Sequence, residues 1–272
     1  MKKNEIEKII NTHFKKIEKY FHKIVIGFEI EDVHEFRTEI KKLRAFLHLL
    51  EMEPGNGIPF RITNKMKTFY GYAGVIRNLQ LQLKSVEAYF ENSPVTIPIL
   101  YLNTLRNEIE TWEKNTKDFM DPDNNFYNDE EKIKVLLPDK LRNNSIKKFI
   151  QYILHELHKL LTRLEDDEAL HSIRKYLKDI VYNWPFIQED ITLLPAGLSN
   201  EEEARSCAET LGHFRDKCIA LVLLQTYFND SLENEEKKIL QQMEQDWMAE
   251  KQELRQKIYV MLEIITLKNE IL

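Results

Sequence analysis

The chain has 272 residues, 43% of them hydrophobic and 31% charged, with a formal net charge of −6. This length and balance fit one large folded domain or two ordinary ones, and exclude a disordered chain. The acidic total argues against specific nucleic-acid binding, so any anion site has to be a local concentration of cations inside an acidic shell.

Only 7 Gly and 8 Pro interrupt the chain, and its Leu, Ile, Lys and Glu content favours long helices. Cys207 and Cys218, the two cysteines, form neither a metal-type pair nor a disulfide framework. Met1-Lys2-Lys3 leads into a charged amphipathic stretch rather than a signal peptide. No apolar run approaches the ~20 residues that span a bilayer. The expected location is cytoplasmic, with no membrane partner.

Ile6, Ile10, Phe14, Ile17, Phe21 and Ile24 recur at three- and four-residue steps, which predicts a first amphipathic helix. Glu31-Asp32 opens a second, running to about Glu51, where Glu53-Pro54-Gly55-Asn56-Gly57 ends it. A third covers Ile62 to Phe90, closed by Ser93-Pro94, and a fourth runs from Pro98 to Phe119. Asp121-Pro122-Asp123-Asn124-Asn125 is the strongest linker signal, and the polar stretch to Asn144 reads as a loop with one short turn. The pattern then restarts with Ile146, Ile150, Ile153, Leu157, Leu160 and Leu164. A helix from Glu168 is expected to stop at Pro185, followed by a loop with Pro195 and Gly197. Ser199-Asn200-Glu201-Glu202 is a capped start for a helix to Phe228, and the last helix spans Leu232 to Leu267.

Four helices, a linker and four helices call for a search for an internal repeat. An offset of 137 residues sets Val33-His34-Glu35-Phe36-Arg37 on Leu170-His171-Ser172-Ile173-Arg174 and Lys41 on Lys178. An offset of 138 sets Gly74-Val75-Ile76-Arg77-Asn78 on Gly212-His213-Phe214-Arg215-Asp216. The predicted organisation is a single all-α domain of two repeats, 1–120 and 142–272, joined by a linker at 121–141.

At 100° per residue, His34, Arg37, Lys41, Arg44 and His48 share a sector of about 80°, opposite Phe36, Ile40, Leu43, Leu47 and Leu50. His171, Arg174, Lys175, Lys178 and Tyr182 share one sector in the second copy, opposite Ile173, Leu177, Ile180 and Trp184. A charged stripe over an apolar face is what any surface helix shows. Here the row is cationic, includes His, and returns in the same phase in both copies.

Val33 to Arg44 reads V-H-x-x-R-x-x-x-K-K-L-R, which resembles the signature helix of the CHAD (conserved histidine α-helical domain) family. Leu170 to Lys178, with Tyr182, is similar to that family's second signature helix, and Gly74–Asn78 and Leu211–Asp216 resemble its two L-G-x-x-R-D segments. The resemblance covers essentially the whole chain. It implies two four-helix bundle-like repeats related by a pseudo-two-fold axis. It also implies non-enzymatic binding of inorganic polyphosphate, or another polyanion, in a basic cleft between them, with association with polyphosphate granules. The binding residues it points to are His34, Arg37, Lys41, Lys42, Arg44 and Arg77 in the first copy. In the second they are His171, Arg174, Lys175, Lys178, Tyr182 and Arg215.

Asn78 stands where the family usually has Asp, and Asp179 and Val181 occupy positions that are often basic. The second half is therefore expected to contribute less. No catalytic residue, metal or cofactor is expected. His155 and His158 lack H-E-x-x-H spacing and a further ligand. Asp216 is expected to hold Arg215 or a signature-helix residue. Two rivals remain: a helical protein-interaction scaffold that has lost anion binding, and a metal-dependent polyphosphate phosphohydrolase, which would need carboxylate-held metal beside the phosphates.

Overall fold

The computed structural model describes residues 1–54, 60–91, 97–119, 126–228 and 232–266. Nine α-helices lie within them: α1 Lys3–Gly27, α2 Ile30–Glu51, α3 Asn64–Phe90, α4 Ile99–Phe119, α5 Tyr127–Val135, α6 Asn143–Leu161, α7 Asp167–Ile187, α8 Glu201–Tyr227 and α9 Asn234–Thr266. Among the described residues there is no strand; a lone bridge joins Lys2 to Lys140. The all-α expectation holds.

The periodicity accounts for the helices. In α1 every residue of the Ile6–Ile24 stripe is buried, and α6 buries Ile146, Phe149, Ile150, Ile153 and Leu157 in the same way. The helix ends carry their own signals. Asn200 caps α8 by accepting from the Glu203 N–H, as its sequence indicated. α1 ends at Phe28, a non-glycine residue at φ 49° whose N–H bonds the Ile24 carbonyl at 3.0 Å. The Phe28 ring is buried in the core, and that burial holds the left-handed backbone.

The apolar core does not divide at the boundary between the repeats. One cluster joins α1, α2, α5, α6 and α7 with the first halves of α3 and α8 and the end of α9. The other joins α4 and most of α9 to the second halves of α3 and α8. Each draws on both halves of the sequence, so neither half encloses a core alone.

Two expectations need correction. The stretch before Asn144 was expected to be a loop with one turn, yet it contains α5. Phe126 and Ile133 are buried in the first cluster. Asp129, itself buried, accepts from the backbone N–H of Thr63 at 2.6 Å and its hydroxyl at 3.0 Å. Tertiary burial thus supports a helix too short and polar to stand alone. Residues 120–125, with the linker motif, lie outside the described residues, as do Gly55–Gly57 and Ser93-Pro94. Pro185 does not end α7 either. It falls in the last turn, where it forgoes one i→i−4 hydrogen bond without ending the helix. The helix runs to Ile187 and tightens into a 3-10 turn, Gln188–Leu193.

Candidate polyanion-binding cleft

The site is positioned by α2 packing directly on α7. Buried Asn183 of α7 donates from Nδ2 to the Ala45 carbonyl of α2 at 2.9 Å. His48 and Asp179 meet across the same contact, Nδ1 to Oδ2, at 2.9 Å. Phe46 and Phe186 add a ring pair at 5.0 Å. Two stripes 137 residues apart in sequence therefore converge.

In α2, Arg37 donates from Nη1 to the Tyr70 carbonyl of α3 at 2.6 Å, and its guanidinium lies 4.2 Å over the Tyr70 ring. The approach needs the glycine at 74, because a Cβ there would overlap Arg37 Nη1. The second copy repeats the arrangement. Arg174 of α7 lies against Gly212 of α8, where a Cβ would come within 3.3 Å of Nε. Each glycine is the first residue of the second repeated segment, and each arginine belongs to the signature helix it faces.

Lys41 lies between these arginines. Burial, then the charges of Arg37, Arg174 and Lys178, push its ammonium down to about 7, and Asp216 opposes them. The Lys178 ammonium is also lowered, by burial and then by Arg174. Its Nζ lies 5.8 Å from the ring of half-buried Tyr182. Among the described residues Arg37, Lys41, Arg174 and Lys178 have no carboxylate within ion-pairing distance. Like charges held together without counterions are costly.

The histidines flank this group. Burial, then Arg77, lower the His34 imidazole. Burial, then Lys175 and Arg215, lower that of His171 to about 4. Each histidine thus feels the arginine of the repeated glycine segment, Arg77 or Arg215. The His171 Nδ1 is buried with no hydrogen-bond partner among the described residues, as is the Arg174 Nε. Arg77 is fixed by donating from Nη1 to the Ile30 carbonyl at 3.1 Å.

Other expected residues sit differently. Lys42 does not join the row: its Nζ is 2.6 Å from buried Glu39, which also meets His13 of α1 at 3.0 Å. One residue past Lys41 on a helix is a turn of about 100°, and it carries Lys42 to α1. Arg215 stands beside His171 but bonds Glu168 at 2.9 Å, bordering a cavity of about 710 Å³ between α8 and α9. Asp216 therefore does not hold Arg215. It lies among Arg174, His213, Lys41 and Arg77, and burial raises its carboxyl against their pull. Arg44 and Lys175 are exposed and have no ion-pair partner among the described residues. His155 and His158 are exposed. Among the described residues no group of three or more His, Cys, Asp or Glu side chains is placed to hold a metal ion.

The ground for a weaker second half disappears. Val181 is buried in the core, so a basic residue there would not reach the cleft. Asp179 is occupied by His48 across the helix contact.

The model of the CHAD domain matches residues 8–225. The chain belongs to the CHAD family. A crystal structure of the CHAD domain from the plant Ricinus communis superposes with a TM-score of 0.62 at 17% identity, covering 95% of this chain and 85% of that one. At that identity the likeness speaks for the fold. No curated protein matches the chain.

Within this CHAD domain the sequence signal missed Tyr70, which anchors Arg37 by both carbonyl and ring. It also missed His48 and Asp179 as a pair. A pattern read along one helix does not show what crosses to another. The paired glycines were visible in the repeat, but their purpose, close approach of an arginine, needed the packing.

Proposed function

We propose that this CHAD domain binds inorganic polyphosphate, without turning it over, along the α2–α7 cleft. The observation that carries the reading is the unpaired group of Arg37, Lys41, Arg174 and Lys178, with Lys41 pushed down to about 7. A fold keeps such repulsion only where something offsets it, and a chain of phosphates supplies one negative charge per unit along the row. Arginine grips phosphate oxygens with a planar fork and lysine adds a point charge. The exposed Arg44 and Lys175 extend the track, which favours a chain over a single phosphate. The acidic remainder of the molecule repels non-specific polyanions and leaves the cleft as the attractive patch. A cytoplasmic protein of this kind would sit on polyphosphate granules.

The test is fluorescence anisotropy with labelled long-chain polyphosphate at low salt, alongside phosphate release with added Mg²⁺ or Mn²⁺. Saturable binding that weakens steeply with salt, and no release, is the expected result. Metal-dependent release at catalytic rates would return the phosphohydrolase reading. Absence of binding would return the scaffold.

A further inference from the structure

We propose that Lys41 is a site of acylation by small acyl phosphates. The reagent would dock its phosphate on Arg37 and Arg174 and present its carbonyl carbon to the Lys41 amine. The inference rests in part on the anion-binding reading of the cleft, but it predicts a covalent product that can be measured alone.

Three features come together at this position. First, the side chain is half-buried between two helices and has no ion-pair or hydrogen-bond partner among the described residues. An amine in that state has free access to its lone pair once the proton leaves. Second, the charges that act on it most strongly are Arg37 on its own helix, Arg174 and Lys178 on α7, and, opposing them, Asp216 on α8. Burial, and then these cations, favour the neutral amine against the pull of Asp216. Third, the same cations suit the leaving group. Arg37 commits Nη1 to the Tyr70 carbonyl, which fixes the guanidinium and leaves its remaining edge for phosphate oxygens. Holding reagent and nucleophile together raises the effective concentration of one about the other.

The reaction balances without a further reagent. The neutral Nζ attacks the acyl carbon, a C–N bond forms, and the C–O bond to phosphate breaks. The amine proton goes to the departing group, giving an amide and hydrogen phosphate. The product removes from the centre of the row an amine that a bound polyanion would protonate, and adds an acyl group there. Acylated protein should therefore bind polyphosphate less well, which makes the modification a brake on the proposed function.

A lysine in water is neutral in only about one part in a thousand at pH 7.5. An amine with a pKa near 7 is mostly neutral, and loses part of that advantage because nucleophilicity falls with basicity. The net expectation is an initial rate on the order of tenfold or more above exposed lysines.

The experiment is acetyl phosphate treatment of the full chain at pH 7.5, with site occupancies read by mass spectrometry over time. Lys41 is expected to lead the exposed Lys148 by about tenfold, and the lead should vanish in urea. It should also shrink at pH 9.5, where ordinary lysines become reactive, and in Arg174→Gln, which removes a phosphate grip. Acetylation of Lys41 no faster than of Lys148, or a lead that survives in urea, overturns the proposal. Added polyphosphate separates the two claims. Protection of Lys41 supports both. Rapid Lys41 acetylation without protection upholds the modification and counts against the polyphosphate reading, and polyphosphate binding without preferential acetylation does the reverse.

Discussion

Lys41 is where stability and function oppose each other. Its folded pKa of about 7 lies below the ~10.4 of an unfolded lysine. Between these values the unfolded chain holds the extra proton, so this group's contribution to stability rises with pH from about 7 to about 10 and is least favourable below 7. Lys41→Met should therefore raise the melting temperature at pH 7, by a stability gain on the order of 1–2 kcal/mol after allowance for solvent screening. The gain should fade towards pH 10 in a thermal melt series, and the same variant should bind polyphosphate more weakly. The glycines give a second test. In Gly74→Ala the new methyl displaces the far end of Arg37, costing its bond and stacking on Tyr70, about 1–2 kcal/mol. In Gly212→Ala the 3.3 Å approach to Arg174 asks only for a small shift, so the loss should be smaller. Chemical denaturation of both variants measures the difference. A greater loss from Gly212→Ala would mean that the two copies hold their arginines by different means.

At the scale of elements, the α2–α7 contact decides whether the two cationic rows face each other. Asn183→Leu removes the bond to the Ala45 carbonyl and places a larger apolar group in a filled space. A cost of about 1–3 kcal/mol is expected, with a fall in polyphosphate affinity although no cation is touched. Unchanged affinity in the folded variant would show that the rows do not need this contact. The helices and their buried faces were legible in the sequence, because 3.6-residue periodicity is a local signal. So was the Asn200 cap. Three things were not. α5 takes its support from the burial of Phe126 and Ile133 and from Asp129 on Thr63, contacts made far along the chain. Lys42 and Lys41 are adjacent in a basic run, and only the position of Glu39 and His13 separates their roles. Asp179 looked like an unwanted acid in a cationic row until its partner His48, 131 residues away, came into view.

The molecule as a whole carries −6 and holds Arg37, Lys41, Arg174 and Lys178 together without an ion-pair partner among the described residues, so binding should be linked to protons as well as to salt. A bound polyanion stabilises the charged forms of Lys41, His34 and His171, whose free pKa values all lie below their ordinary ones. Binding therefore takes up protons, and affinity should fall as pH rises from about 4 to 6.5 through His171 and again from about 7 to 10 through Lys41. A titration of affinity against pH that is flat over both windows would remove these groups from the site. The most direct test of the cleft itself is a polyphosphate titration of Arg37→Ala/Arg174→Ala against the unmutated chain, at matched ionic strength and with helicity checked by circular dichroism. One arginine from each helix is lost, and each charge-assisted contact contributes about 1–3 kcal/mol. The account predicts a folded protein with affinity reduced on the order of 100-fold and a salt slope shallower by about 2. Undiminished affinity with an unchanged slope would contradict it.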